Sequence, residues 1–267
     1  MSKVVLITGG SSGIGKSVGE FLTQKGFIVY GTSRNSSKIK KHPFKLVSLD
    51  VNDTDTISKA VSEVITNEGR LDILINNAGM GITGPIEETP TNEMRKVFDT
   101  NLFGAIDVMK AVLPQMRTQK SGLIINVTSI AGYMGLPFRG IYSATKGALE
   151  IVTEAIRMEV KSFGIEVTNV APGDFATNIA SGRYHTPVFE NSTYKENYQS
   201  NLDLMDAHVD SGSDPIEMAE AIYKIITTKK PKIHYKVGDF TQKFSIILKK
   251  ILPDLIYEKL LMNHYKL

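Results

Sequence analysis

Short β-branched runs alternate with longer segments of helical period along most of the chain, and no other feature restricts the possible folds so tightly. Strands are predicted at Val4–Thr8, Phe27–Thr32, Lys45–Leu49, Ile73–Asn76, Leu123–Thr128, Ile165–Val170 and Lys232–Val237. Most of these runs are apolar on both sides, as strands are when helices cover both faces of a sheet. Helical patterns near 14–25, 54–67, 92–118 and 140–162 are long enough to cross back over such a sheet right-handedly. The expected architecture is α/β: one doubly wound parallel sheet of about seven strands with helices on both faces. A chain of 267 residues, 42% of them hydrophobic, can bury one core of that size, and no Pro/Gly/Ser-rich linker divides it. Residues 173–213 are polar and aromatic without a clear period and read as an irregular substrate lid. Asp214-Pro215-Ile216-Glu217 then restarts a helix, with Asp as N-cap and Pro at the first position.

Composition removes several function classes. The chain has 31 Lys and Arg against 28 Asp and Glu, a formal charge of +3 spread evenly, so nucleic-acid binding is not its main task. With 0 Cys there is no disulfide framework and no thiol nucleophile, and the 5 His show no metal-ligand spacing, so no metal centre is expected. No apolar run exceeds four residues, and Met1-Ser2-Lys3 leads straight into the first strand. Neither a spanning helix nor a signal peptide fits, and a soluble, cytoplasmic protein is expected.

The first strand runs into Thr8-Gly9-Gly10-Ser11-Ser12-Gly13-Ile14-Gly15 and then a helix. That is the setting in which a dinucleotide pyrophosphate rests on backbone N–H groups and a helix N-terminus. The same stretch satisfies a phosphate-loop pattern, with Gly10, Gly15, Lys16 and Ser17 at the required spacing, so an ATPase or kinase is a second reading at this point.

Downstream residues favour the dinucleotide. Tyr142 and Lys146 stand four apart on a predicted helix, so both side chains leave the same face. An ammonium beside a phenol favours the phenolate and makes Tyr142 the acid/base candidate. Ser129, at the C-terminal edge of a central strand, is placed to hydrogen-bond a substrate oxygen. Between Glu20 and Asp50 the chain has no acidic residue, whereas Arg34 follows the second strand, with Lys38, Lys40 and Lys41 beyond it. A site preferring NAD carries an acid there to accept from the ribose 2′-OH. Arg34 instead suits a 2′-phosphate, with Ser33 and Ser11 adding hydroxyls, so NADP(H) is expected over NAD(H).

Taken together, the glycine loop, Asn76-Asn77-Ala78-Gly79, Asn101, Ser129, Tyr142-x3-Lys146 and Pro172-Gly173-x3-Thr177 resemble the short-chain dehydrogenase/reductase family over nearly the whole chain up to about Gly238. The resemblance implies a Rossmann-type fold and reversible hydride transfer between a nicotinamide and a carbonyl/alcohol pair. It implies cofactor contacts at Gly9, Ser11, Ser12, Gly13, Ile14, Gly15, Ser33 and Arg34, and further on at Asp50, Val51, Asn77, Ala78, Gly79, Pro172, Gly173 and Thr177. Lys146 would also grip the nicotinamide ribose, and Asn101 would order a water linking Lys146 to solvent. Residues 1–238 are then the dinucleotide-binding and catalytic domain, and 239–267 a helical extension of the same domain. A catalytically silent NADP-binding sensor on this fold is the alternative from another class.

The motif spacing looks most like the branch containing 17β-hydroxysteroid and retinol dehydrogenases. Tyr133, Met134, Leu136, Phe138, Phe175, Tyr184 and Phe189 suggest an apolar pocket for a bulky lipophilic ketone or alcohol. The C-terminal pattern places Phe240, Phe244, Ile247, Leu248, Ile251 and Leu252 along one helix face, breaks at Pro253 and resumes at Leu255. That face either closes the pocket or packs on another subunit, or it lies on a membrane surface. The helices at 92–118 and 140–162 are those the family pairs into dimers and tetramers, so a homo-oligomer is expected.

Overall fold

The computed structural model describes residues 2–39, 41–176, 182–210 and 212–267. Its strands are β1 (Val4–Ile7), β2 (Ile28–Ser33), β3 (Lys45–Ser48), β4 (Ile73–Asn76), β5 (Ile82–Thr83), β6 (Gly122–Val127), β7 (Ile165–Pro172), β8 (Tyr184–His185) and β9 (His234–Val237). Its helices are α1 (Gly13–Gln24), α2 (Thr54–Glu68), α3 (Thr91–Phe98), α4 (Gly104–Gln119), α5 (Gly140–Glu159), α6 (Lys195–Asp210), α7 (Pro215–Thr227), α8 (Phe240–Ile251) and α9 (Asp254–Tyr265). Seven strands form one parallel sheet in the order β3-β2-β1-β4-β6-β7-β9, and each predicted strand matches one of them within two residues.

Alternation along β1 explains the layering. Val4 and Leu6 face a core with α2 and α4, while Val5 and Ile7 face α1 and α7. The chain winds outward from β1 to β2 and β3, then returns to the other side of β1 for β4 and the later strands. The strand order therefore reverses between β1 and β4, and a crevice opens at their C-terminal ends. Thr8 braces that opening: its hydroxyl accepts from Asn77 N at 2.9 Å and Ala78 N at 3.0 Å.

Three sequence expectations need correction. The pattern at 92–118 is not one helix, because a π turn over Asp99–Phe103 separates α3 from α4. The stretch 173–213 is not irregular throughout. It contains β8, paired in parallel with β5, and the helix α6. The buried face of α6 is formed by Tyr198, Asn201 and Met205, and the polar Asn201 hides the helical period from an apolar count. The C-terminal apolar row divides. Ile246, with Leu248 and Leu252 beside it, packs against Ile130 and Met134, while Phe240, Phe244, Ile247 and Ile251 face outward.

Candidate active site

The crevice is a cleft of about 610 Å³ running along the C-terminal ends of β1, β2 and β4. Gly9, Ser11, Ser12, Gly13 and Ile14 form its floor, with Ser33, Arg34, Asp50 and Val51 at one end. Asn77, Ala78, Gly79, Tyr142, Lys146 and Pro172 line it toward the other. The loop is shaped by backbone demands: Gly9 and Gly13 have φ of +64° and +51°, in the left-handed region. Gly15 lies beneath the loop rather than in the cleft, where an added Cβ would stand 2.4 Å from Gly9 O. Helix α1 begins at Gly13, so its first-turn N–H groups open toward the cleft without a side-chain cap from Ser12. Lys16 is absent from the lining and pairs instead with Glu20 at 3.6 Å on the exposed side of α1, which removes the phosphate-loop reading. Thr177 and Lys40 lie outside the described residues.

Beside the cleft is a smaller pocket of about 70 Å³, lined by Ser129, Tyr142, Gly173, Asp174 and Phe175 together with Arg139 and Arg183. Ser129 ends β6 and caps a 3-10 turn over Ile130–Tyr133, accepting from Ala131 N at 3.1 Å. Tyr142 arrives from the first turn of α5. The two elements approach closely because Gly132 and Gly147 lack side chains: a Cβ on Gly147 would stand 2.9 Å from Gly132 O. The Ser129 hydroxyl is thereby brought into hydrogen-bond reach of the Tyr142 phenol.

Lys146, one turn further along α5, is buried and donates to Val127 O at 3.0 Å. Burial lowers its pKa from 10.5 to about 8. Burial also pushes the Tyr142 phenol above its usual range, while Arg139, the Ser129 hydrogen bond and Arg183 pull it down and Asp174 adds to the rise. The expected net lowering of Tyr142 by the Lys146 ammonium is therefore not found, and the groups that lower it are Arg139, Ser129 and Arg183. That ammonium sits 6.0 Å from the Tyr142 ring centroid and is directed at a carbonyl. The guanidinium of Arg139, 5.5 Å from the same ring, has the larger influence.

Asn101 sits in the π turn, fully buried. Its Oδ1 accepts from Met80 N at 2.8 Å, and its Nδ2 donates to Met80 O at 2.9 Å and Thr145 Oγ1 at 3.1 Å. A Cβ on Gly79 would meet Asn101 Oδ1 at 3.1 Å and Lys146 Nζ at 3.4 Å, so these side chains converge behind the cleft wall.

A profile of the short chain dehydrogenase family matches residues 3–187. The chain belongs to that family. A 3-ketodihydrosphingosine reductase of Bacteroides thetaiotaomicron is 40% identical over 254 residues, covering 94% of both chains. A crystal structure of a short-chain dehydrogenase from Streptomyces avermitilis superposes with a TM-score of 0.83 at 31% identity, covering 100% of this chain and 96% of that one. ElxO with NADP bound is 28% identical with a TM-score of 0.71, over 89% of this chain and 97% of the other.

In this short-chain dehydrogenase the sequence reading overlooked Arg139, Asp174 and Arg183. Arg139 stands three residues before Tyr142, a spacing that puts it on the same helical face and was available as a signal. Asp174 directly follows the Pro172-Gly173 motif, and Arg183 carries no local signature. Of the seven residues expected to line an apolar pocket, Phe175 does so. Met134 and Tyr133 are packed under α8, Phe138 leans on Tyr198, and Phe189 is exposed.

Proposed function

We propose that this chain is an NADPH-dependent reductase of a ketone on a long, lipophilic substrate. The observation that carries the reading is the meeting of Ser129 and Tyr142 side chains in a pocket beside a glycine-floored cleft. The glycine loop leaves no side chain between the α1 N-terminus and the cleft, which fits a pyrophosphate. Arg34 and Ser33 would hold a 2′-phosphate at the other end. NADPH, when bound, supplies the hydride that adds to the carbonyl carbon.

The chain's own residues manage the oxygen and the proton. Ser129 donates to the substrate oxygen and holds it against the phenol. Tyr142 gives its proton to that oxygen as the alcohol forms, leaving a phenolate that Arg139 and Arg183 stabilise through charge. Lys146 is the positioning residue of the group: its amine donates to Val127 O on the cleft wall one helical turn from Tyr142, where burial lowers its pKa to about 8. Asn101 locks the Met80 backbone that forms the adjoining wall.

Lipophilicity is supported by the named activity of the relative from Bacteroides thetaiotaomicron. The pocket's own lining is mixed, with one carboxylate and two guanidinium groups beside Phe175. Such a lining suits a polar carbonyl end with hydroxyl or amino groups, as in a keto sphingoid base, with the apolar tail leading away.

The test follows NADPH absorbance with 3-ketodihydrosphingosine and a panel of steroid, retinoid and acyl ketones. Wild-type protein turns over a long-chain ketone, and Tyr142→Phe loses about a hundredfold or more in kcat while still binding NADPH. Undiminished turnover in Tyr142→Phe, or NADPH binding with no ketone reduced at all, refutes the reading. The second of these outcomes is the behaviour of a silent sensor.

A further inference from the structure

Helix α8 carries Phe240, Phe244, Ile247 and Ile251 at spacings of four, three and four, a single stripe along the helix. The stripe faces away from the protein: Phe240 is 74% and Ile251 68% exposed, and the rings of Phe240 and Phe244 stack at 5.6 Å in the open. After the break at Pro253, α9 continues the exposed apolar surface with Leu255, 79% exposed, and Ile256. Water-facing rows of this extent are rare on a surface that meets only solvent.

The charge beside the stripe identifies what covers it. Lys243 and Lys250 follow Phe240 and Ile247 by three residues each, which borders the stripe with ammonium groups on long stems. Over residues 239–267 five lysines outnumber three acidic residues, and one of those acids, Asp254, is already paired with Lys249 at 2.9 Å. A second copy of the same face would bring like charges together. An anionic headgroup layer matches both the lysines and the apolar row. No helix among the described residues is long and apolar enough to cross a membrane, so the contact is one of lying on the surface.

The stripe also belongs to the helix that borders the substrate pocket. Gln242 on α8 donates to Asp174 Oδ2 at 2.7 Å and accepts from Asp174 N at 3.2 Å, and Asp174 lines the pocket beside Tyr142. The end of α9 reaches the same place, where the Tyr265 side chain hydrogen-bonds Arg139.

We propose that the α8–α9 face docks this chain on an anionic lipid bilayer, the source from which its lipophilic substrate reaches the pocket. The second clause rests on the proposed reductase activity; the docking does not. Co-sedimentation of the full chain with phosphatidylcholine vesicles, with and without a quarter phosphatidylglycerol, tests it. The chain pellets with the anionic vesicles and is released by salt. A chain bearing Phe244→Ser, Ile247→Ser and Ile251→Ser partitions at least about tenfold more weakly. A chain bearing Lys243→Gln and Lys250→Gln loses roughly fivefold per lysine. Both variants retain wild-type turnover of a water-soluble ketone with NADPH, which shows that they fold. The docking is overturned if wild-type protein stays in the supernatant with anionic vesicles, or if the triple-serine chain pellets equally. It is also overturned if that chain loses only a self-association that wild type shows without lipid. A chain that pellets but reduces no ketone leaves the docking standing and removes the reductase reading; one that reduces ketones but never pellets does the reverse.

Discussion

We propose that Arg34 decides between two cofactors through one charge. It is exposed at the end of the cleft, beside Ser33 and directly after β2, and the twenty-nine positions from Phe21 to Leu49 contain no carboxylate. A guanidinium there attracts a 2′-phosphate with two parallel hydrogen bonds, whereas a carboxylate would accept from a 2′-OH and repel the phosphate. Arg34→Asp reverses the sign at an exposed position and so leaves folding largely untouched. The expected outcome is at least a tenfold loss in NADPH affinity with NADH affinity equal or improved, read by fluorescence titration of both cofactors. Unchanged NADPH affinity in that variant means the 2′-phosphate end is held by other residues. The same scale shows what was legible before the structure. Tyr142 and Lys146 could be paired because helix geometry ties positions four apart. Arg183 could not be, because it joins Tyr142 only through the return of a chain segment that has no period of its own.

At the scale of elements, α5 carries its chemistry on one face: Tyr142, Lys146 and then Glu150, each four residues after the last. Glu150 is buried against the end of β6, where the Thr128 hydroxyl donates to its Oε1 at 2.9 Å. Burial raises its pKa from 4.5 to about 7, against smaller opposing effects from Thr128, Tyr133 and Lys236. The folded chain therefore keeps a proton on Glu150 that the unfolded chain has already lost between 4.5 and about 7. Stability from this group is present at low pH and falls as pH rises through that window. Glu150→Gln keeps the acceptor for Thr128 and removes the titration. At about pH 5 the variant and wild type are expected to match, while at about pH 8 the variant is more stable by on the order of 2 kcal/mol in denaturant unfolding. A stability difference that does not change with pH removes this account. The elements that escaped sequence reading did so for related reasons. Asn201 replaces an apolar residue on the buried face of α6, and Asn101 turns inward through a π turn that leaves the flanking helical period almost intact. In each case a buried amide whose Nδ2 donates to a backbone carbonyl oxygen occupies a position where periodicity looks for an apolar residue.

At the scale of the whole molecule, two helical surfaces among the described residues expose apolar rows, and they differ in charge. The α8–α9 surface is bordered by lysines. The other lies on α5 and the π turn before α4, where Ile151 is 69%, Met158 72% and Phe103 54% exposed. Ile151 and Met158 are seven apart and share a face of α5, and the charged residues between them are held within the chain, Glu154 by His234 at 3.0 Å and Arg157 by Glu166 at 2.8 Å. A surface whose charges are already paired within the chain meets little repulsion when one copy is rotated onto another in a two-fold contact. A helix pair from each copy then covers the exposed rows without setting like charges against each other. We propose this surface, rather than the lysine-bordered one, as the place where a homo-oligomer would form. The expected outcome in sedimentation velocity without lipid is a multiple of the chain mass for wild type. Ile151→Glu with Met158→Glu sediments as a single chain, because four carboxylates would be buried in each two-fold contact. The triple-serine chain of α8 keeps the wild-type mass. A single-chain mass for wild type, or a loss of association in the α8 chain in place of the α5 one, would reverse the assignment of the two faces.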